Sequence, residues 1–352
     1  LNFSQYVLEA GLQINCKNIM DIQMERIVSI IMPVYNAEST ILHSLKSIMS
    51  QHQSWIELIV VDDCSTDRSA SIVNETIASS TRQDMSIVLL RHENNRGVAA
   101  ARNSGLDAAT GKYIYYVDAD DRIEPYTLEK LVREAESAGA DIVGHNWYLS
   151  FEGNERKMHE PGFANPSEAL RLMMAGAMRW NLWLFLVRKS LYDEHQIRFI
   201  EGLNMGEDMM VMLKLFANAE KVSFIDEALY HYMQTNVSSL TKTYSEEHIR
   251  QVTANVGEAE KYLDKSSYSD KLNVYIYQLK LNIKLPLLIS DDKKRYQQWI
   301  DWFPEANFQI MHNKYLPLRI RLLQLAASKR QFWLVWLYYR IVVKFMYGII
   351  YK

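Results

Sequence analysis

Three carboxylates stand close together near the middle of the chain, in the segment KYIYYVDADD. Asp118, Asp120 and Asp121 directly follow an apolar run that is typical of a buried strand. Aspartate is a poor strand former and is costly to bury, so these acids are expected in a loop that faces positive charge. Mg²⁺ prefers oxygen ligands, so an Asp-x-Asp pair could hold a metal nucleotide there. The alternative is that Asp120 and Asp121 cap a helix that begins near Pro125.

The surrounding sequence alternates between strand and helix patterns. Short apolar runs predict strands that begin at Val28 in VSIIMPVYN and then cover residues 56–61, 87–90, 113–117 and, in a strand-like run, 141–151. Amphipathic or alanine-rich segments predict helices in STILHSLKSIMSQ, in CSTDRSASIVNETIAS, and at residues 98–109 and 128–138. This alternation favours an α/β fold with a mostly parallel, doubly wound sheet.

In such a sheet, ligands bind in the crevice outside the carboxyl ends of the strands. Polar residues follow three of the predicted strands: Tyr35 and Asn36, then the pair Asp62-Asp63, then the acids after residue 117. These side chains are therefore expected to converge on one crevice.

Composition narrows the class of protein. The chain has 352 residues, 48% of them apolar and 23% charged, and a formal net charge of −3. A near-neutral balance gives no general attraction to nucleic acid, so no nucleic-acid partner is expected. Two cysteines, Cys16 and Cys64, are too few for a disulfide framework or a zinc site. The first residues show no secretory signal, so a cytoplasmic location is expected.

Four motifs in order carry a family resemblance: VSIIMPVYNAESTILHSLKSIMSQ, ELIVVDDCSTDRS, NNRGVAAARNSGLDAATGKYIYYVDADD and GEDMMVMLKL. Together they resemble the inverting glycosyltransferases of family 2, which have the Rossmann-like GT-A fold and include many enzymes of bacterial polysaccharide and surface-glycan synthesis. The predicted division is an N-terminal extension at residues 1–26, a GT-A catalytic domain at 27–243 and a helical C-terminal appendage at 244–352.

The resemblance implies a nucleotide site at the end of the first two strands. It would place Pro33, Tyr35 and Asn36 beside the base, with the Tyr35 ring against a uracil-like ring and Asp63 near a ring N–H. The alternative from the residues alone is that Tyr35 covers the end of the sheet and Asp63 caps the next helix.

The resemblance also implies a diphosphate and metal site. Arg96 and Arg102 lie where the family places residues near the diphosphate, although an isolated Arg on a helix is more often solvated. Asp118 is expected toward the ribose and Asp120 on a Mn²⁺ or Mg²⁺ ion, while Asp121 could take either role.

His231 resembles a family position near the diphosphate and metal. Relatives often have a Tyr-x-Tyr-Arg pattern there, whereas this chain has Tyr230-His231-Tyr232-Met233. A buried structural histidine is the alternative.

Glu207 and Asp208 follow Gly206 at the start of a predicted helix. By resemblance, Asp208 is the general base that takes the proton of the acceptor hydroxyl as it attacks the anomeric carbon, and Glu207 supports it. The alternative is a helix start with acids in its first turn. Trp180 and Trp183, a little upstream, could stack on a sugar or belong to the core.

The sequence ends in QFWLVWLYYRIVVKFMYGIIYK, which is aromatic and apolar but includes Arg340 and Lys344. A spanning helix needs about 20 residues with few charges. These two cations therefore favour a helix that lies on a membrane surface, near lipid-linked acceptors. The alternative is a helix packed on this domain or on a second subunit of a homodimer.

The resulting prediction is an inverting, metal-dependent glycosyltransferase that moves a sugar from a nucleoside diphosphate donor, most simply a UDP-sugar, to a hydroxyl of a glycan or lipid-linked saccharide. A dinucleotide-dependent oxidoreductase is disfavoured because MPVYNAES lacks the glycine-rich turn. A nucleotidyltransferase and a non-catalytic nucleotide-binding or interaction module on the same fold remain the alternatives.

Overall fold

The computed structural model describes residues 27–53, 55–80, 85–234 and 245–347. The predicted N-terminal extension, residues 1–26, and the predicted domain boundary at residue 243 lie outside the described residues. Helices and strands follow one another as an α/β fold with helices at the C-terminal end, so the predicted fold class is confirmed.

Nine strands form a single sheet within the described residues. Their order across the sheet is β3-β2-β1-β4-β8-β6-β9-β5, and β7 pairs with β6 alone. In chain order the strands are β1 Val28–Val34, β2 Ile56–Asp62, β3 Ser86–Arg91, β4 Tyr113–Tyr116, β5 Arg122–Ile123, β6 Ile142–Ser150, β7 Glu155–Met158, β8 Phe185–Arg188 and β9 Val222–Met233.

The first half of the sheet is parallel, as the sequence predicted. β1 pairs in parallel with β2 and β4, and β2 pairs in parallel with β3. Strands β1, β2 and β4 are apolar almost throughout and are buried along nearly all of their length. Such continuous apolar runs are typical of parallel strands that have helices on both faces.

The second half of the sheet is mixed, which the sequence did not predict. β8 runs antiparallel between β4 and β6, β7 is antiparallel to β6, and β5 is antiparallel to β9. The long strand β9 is parallel to β6, with register shifts around Asn146. The end of β9 meets the acids that follow β4, where the Met233 backbone N–H donates a hydrogen bond to Asp121.

The helices are α1 Ile41–Met49, α2 Ser69–Ser79, α3 Val98–Ala108, α4 Thr127–Ala138, α5 Pro166–Met174, α6 Lys189–Glu194, α7 Glu207–Asn218, α8 Glu246–Asp264, α9 Ser269–Lys284, α10 Lys293–Asp301, α11 Leu318–Ser328 and α12 Phe332–Tyr338, with a π-helix at Tyr339–Tyr347. The two helices predicted at residues 98–109 and 128–138 begin within one residue of the observed α3 and α4. None of the helices in these described ranges is long and apolar enough to cross a membrane.

The C-terminal helices pack on the sheet domain. Helix α8 lies against α7, and α9 lies against α5. The acids at the start of α7 therefore have the sheet domain on one side and a C-terminal helix on the other.

Helix α3 lies unusually close to β1. A Cβ atom added to Gly105 would stand 2.4 Å from the Cγ2 atom of Ile31, whose side chain is fully buried. The alanine-rich sequence of the helix permits this approach, because small side chains let the helix axis come near the sheet.

We expect Gly105→Ala to destabilise the protein by about 1–2 kcal/mol, because overpacking costs more than the gain in helix propensity. Gly257→Ala on α8 is the matched control, since a Cβ atom there meets nothing within 4 Å. That control should stabilise the fold by up to about 1 kcal/mol. Urea unfolding of both variants measures the difference; equal stabilisation by both would show that α3 does not press on β1.

Candidate functional site

A large crevice opens at the carboxyl ends of β1, β2 and β4, with a volume of about 1350 Å³. Most of the residues predicted to form the site line it: Pro33, Tyr35, Asn36, Asp63, Arg102, Asp118, Asp120, Glu207 and Asp208. The structure thus brings the predicted polar strand ends together in one crevice, except for Asp62, which is buried beside Arg91. Arg96, Asp121 and His231 do not line the crevice and are described below.

The loop after β1 presents an exposed aromatic ring. The Tyr35 residue is 51% exposed, and Asn36 beside it has a left-handed backbone with φ of 49°. The Asn36 side-chain oxygen accepts a hydrogen bond from the Thr66 backbone N–H at 2.8 Å, which ties this loop to the one after β2. Tyr35 is thus held at the rim of the crevice with its ring available to a planar ligand.

The Asp63 carboxylate organises the turn before α3. It accepts hydrogen bonds from the backbone N–H groups of Arg96 and Gly97 at 2.9 and 2.7 Å, and it lies 2.6 Å from the His92 ring. Asp63 does not cap α2, whose first residue Ser69 donates its backbone N–H to Asp67 instead. The alternative of Asp63 as a helix cap is therefore wrong.

The three acids after β4 separate into two environments. Asp118 and Asp120 line the crevice. Asp121 is 1% exposed, and its two oxygens accept hydrogen bonds from the Tyr230 hydroxyl at 2.8 Å and the Met233 backbone N–H at 2.7 Å. Burial raises the pKa of the Asp121 carboxyl well above its usual value, and Asp120 and Asp118 add to this. Asp121 therefore binds the end of β9, and it neither lines the crevice nor caps a helix.

Two carboxylates in a crevice suit a hard divalent cation, because Mg²⁺ and similar ions often take one or two protein carboxylates and complete their coordination with phosphate oxygens and water. Asp118 and Asp120 provide that donor set. No cluster of three or more acidic, histidine or cysteine side chains that could hold a metal by themselves occurs in the part of the chain that the structure describes. An ion bound here would therefore need further oxygen atoms, from a bound phosphate group or from water, to complete its coordination.

Arg102 is a buried cation among the acids. Its Nη1 atom donates a hydrogen bond to Glu207 Oε1, and its Nη2 atom lies 3.7 Å from Asp118 Oδ1. Burial by itself would lower the pKa of this guanidinium, but Glu207, Asp118 and Asp208 raise it above its usual value, so Arg102 stays charged. It is not the solvated helix-face residue of the alternative interpretation.

Asp208 lies in the first turn of α7 and lines the crevice. Gly206, just before the helix, has φ of +76°, a conformation that glycine adopts without strain. Burial is the main cause that raises the pKa of the Asp208 carboxyl to about 7, and the neighbouring Glu207 adds to it. A carboxylate with this pKa is suited to taking up a proton near neutral pH.

Two further predicted residues lie apart from these groups. Arg96 pairs with Glu201 at 2.7 Å, and both side chains are about half exposed. His231 is buried, lies 2.5 Å from Glu124 and 3.1 Å from the Ser150 hydroxyl, and stacks on the Tyr148 ring. Its contacts are those of the alternative, a buried structural histidine, and its predicted role on the metal gains no support from this position.

Comparison with known proteins identifies the family. The family model described as Glycosyl transferase family 2 matches residues 29–206. The chain belongs to glycosyltransferase family 2. One relative is an uncharacterized glycosyltransferase of Bacillus subtilis strain 168, EpsJ, which is 32% identical over 296 residues that cover 78% of this chain and 84% of the relative.

A second relative has a more specific name. The poly(ribitol-phosphate) beta-N-acetylglucosaminyltransferase TarS of Staphylococcus aureus is 27% identical over 208 residues, which are 58% of this chain and 35% of TarS. The crystal structure of its residues 1–349 in complex with UDP-GlcNAc matches with a TM-score of 0.68 and 21% identity, over 89% of this chain and 91% of that one. This likeness confirms the GT-A fold of the glycosyltransferase.

Asn204 is a residue of this glycosyltransferase site that sequence reasoning missed. It lines the crevice, accepts a hydrogen bond from the Ala99 backbone N–H at 3.1 Å, and donates its own backbone N–H to Gln251 on α8 at 2.9 Å. Gly97 lets this side chain approach, because an added Cβ atom would lie 2.3 Å from it. No motif marks Asn204, since its partners are far away in sequence.

Aromatic residues and residues of the C-terminal helices also line the crevice. Trp183 is 4% exposed and stacks on the Tyr230 ring at 4.4 Å, so it belongs mainly to the core, with one edge on the crevice. Trp180 lines the crevice and is half-buried. Asn282 and Pro286, from α9 and the turn after it, line the crevice as well. The sequence did not indicate that the C-terminal helices reach the crevice.

We expect Arg102→Met to destabilise the protein by about 3 kcal/mol at pH 8, because it leaves buried carboxylates without their cation. The loss should shrink as the pH falls toward 5, where Glu207 and Asp208, whose pKa values are raised, become protonated and neutral. Arg96→Met is the matched control, since its exposed ion pair contributes less than about 1 kcal/mol. Equal destabilisation of the two variants in urea would contradict the buried network.

Proposed function

We propose that this glycosyltransferase transfers a sugar from a UDP-sugar to a hydroxyl of a glycan or lipid-linked saccharide, with inversion at the anomeric carbon. The observation that carries the proposal is the Arg102 bridge, which holds the acid pair of α7 and the acid Asp118 after β4 in one crevice. A donor diphosphate near Asp118 would thus lie beside the group that activates the acceptor.

The donor end of the crevice supports a nucleotide. The exposed Tyr35 ring offers a stacking face, and stacking of this kind tolerates any planar base. The relative TarS has been crystallised with UDP-GlcNAc, which supports a uridine nucleotide for this chain as well. Asp63 already accepts hydrogen bonds from two backbone N–H groups, so it would fix the turn before α3. Its remaining lone pairs would be available to a ring N–H of the base.

We further infer that Asp118 and Asp120 hold a Mn²⁺ or Mg²⁺ ion together with the donor diphosphate. When bound, the ion supplies positive charge that offsets the negative charge developing on the leaving nucleotide. Asp121 is assigned no contact with it, because Tyr230 and Met233 occupy its oxygens. The protein positions the two ligating acids through the loop that Asp121 anchors.

Asp208 is proposed as the general base. In an inverting displacement the base removes the acceptor proton on the face opposite the leaving group, so one carboxylate is needed beside the acceptor oxygen. The raised pKa makes Asp208 a stronger base than an ordinary carboxylate. Glu207 is turned to Arg102 and is buried, so its role is to hold the guanidinium and, through it, the first turn of α7.

The acceptor is proposed to bind at the wall formed by Trp180, Trp183, Asn282 and Pro286. Ring faces suit the apolar faces of sugars, and an amide such as that of Asn282 can bind sugar hydroxyls. These four residues come both from the sheet domain and from the C-terminal region. The acceptor specificity would therefore depend on both parts of the chain.

The first test is calorimetric titration of the protein with UDP, with and without Mn²⁺. We expect Mn²⁺-dependent binding in the parent, loss of that dependence in Asp120→Asn, and nearly unchanged binding in Asp208→Asn. With a UDP-sugar and an acceptor, Asp208→Asn should lower transfer about 10²–10⁴-fold. Asp107→Asn, an exposed acid outside the crevice, is the control and should behave like the parent. Binding to no nucleotide at all, or full transfer by Asp208→Asn, would refute the proposal.

The pH dependence of transfer gives a second test. A general base must be deprotonated to act, so kcat/KM, which reports the free enzyme, should be constant well above pH 7 and fall about tenfold per unit below it. The fall of kcat/KM on the acid side should reflect the protonation of the Asp208 carboxyl, whose pKa of about 7 lies far above that of an exposed aspartate. A profile that stays flat down to about pH 5 would show that Asp208 does not act as the base.

A further inference from the structure

The C-terminal part of the chain differs in charge from the rest. Residues 306–352 contain eight Lys and Arg and no Asp or Glu. The other 305 residues contain 31 Lys and Arg against 42 Asp and Glu. Residues 306–352 therefore carry charge of one positive sign beside a chain that is otherwise acidic, and this favours contact with a negatively charged surface.

The same segment exposes most of the large apolar side chains on the surface. Among the described residues, sixteen large apolar side chains are exposed, and ten of them fall between residues 308 and 341. The greatest exposures there are Trp333 at 63%, Phe308 at 58%, Leu318 at 54% and Ile341 at 51%. Exposed apolar side chains that cluster in this way mark an interaction surface, whereas single ones are ordinary.

Helix periodicity puts apolar and basic side chains on the same stripe. We define the C-terminal face as Leu318 and Leu322 of α11 and, in α12 and the following π-helix, Trp333, Trp336, Leu337, Arg340, Ile341 and Lys344. Within each of these two segments every member lies three or four residues from another member, so the members lie along one side of the helix. Helices α11 and α12 pack directly on each other.

The basic residues of the C-terminal face remain accessible. Arg340 and Lys344 lie 3.6 and 3.7 Å from the same oxygen of Asp291, and their side chains are 46% and 53% exposed. The Arg340 guanidinium also lies 5.3 Å from the centre of the Trp336 ring. One carboxylate shared by two cations leaves net positive charge beside the exposed tryptophans.

We propose that the C-terminal face binds the surface of an anionic lipid bilayer. Trp and Tyr side chains are enriched at the boundary between lipid and water, and Lys and Arg beside them attract anionic headgroups. A second copy of the chain fits less well, because a symmetric dimer through this face would set its acid-free segments against each other. The inference does not rest on the proposed donor or acceptor.

The test is flotation of the full chain with vesicles of phosphatidylcholine alone and of phosphatidylcholine mixed with phosphatidylglycerol. We expect binding to the mixed vesicles at low salt, weaker binding at high salt, and little binding to phosphatidylcholine alone. Trp333→Ser with Trp336→Ser, and separately Arg340→Gln with Lys344→Gln, should each lower the partition coefficient about tenfold or more.

Two matched control variants change exposed apolar and exposed basic residues outside the C-terminal face. Leu42→Ser with Val274→Ser changes two exposed apolar residues outside the C-terminal face, and Arg68→Gln with Arg250→Gln removes two exposed, ion-paired cations. Both should partition within about twofold of the parent, and the thermal midpoint should show that every variant is folded. Any of three results would overturn the proposal: the parent does not bind anionic vesicles, the two variants of the C-terminal face bind them as the parent does, or sedimentation shows a dimer that these variants dissociate.

Discussion

The buried guanidinium of Arg102 is the interaction that joins the parts of the site. It connects α3 with the acid after β4 and with Glu207, which is 105 residues further along the chain. A buried ion is costly unless its partners are held in place, and buried carboxylates without a cation are equally costly. The three elements therefore stabilise one another: α3 needs the acids, and Arg102 lowers the pKa values of Asp118 and Glu207, which burial raises.

A second constraint acts on the loop that leads into α7. Its Asn204 and Met205 are bonded to Gln251 and Asn255 of α8, a helix of the C-terminal region. This region is more than an appendage, because α8 holds the loop that leads into the helix carrying Asp208. In the first turn of that helix the helix dipole favours the two acids. Arg102 holds one of them, Glu207.

The sequence predicted well the features that depend on local pattern. The buried strands β1, β2 and β4 are mostly apolar runs, the helices between them show helical spacing, and the acids after β2 and β4 follow strands that could be located in advance. The missed features depend on distant contacts. Strand β9 is long but includes Asp226 and Glu227 and pairs irregularly with β6, so its pattern is weak. The inward turn of Asp121 is set by Tyr230 and Met233, more than 100 residues away, and no local pattern separates it from Asp120.

Both the sheet and the C-terminal helices line the crevice, and this bears on the lipid proposal. The proposed donor site lies at the strand ends of the sheet. The residues proposed to bind the acceptor include Pro286, which belongs to the 3₁₀ turn Leu285–Leu288, and that turn contacts α11, which carries part of the C-terminal face. Attachment of this face to a bilayer would thus hold the acceptor wall near lipid and raise the effective concentration of a lipid-linked acceptor at that wall. Donor binding would remain a property of the sheet, because no residue of the C-terminal face lines the crevice.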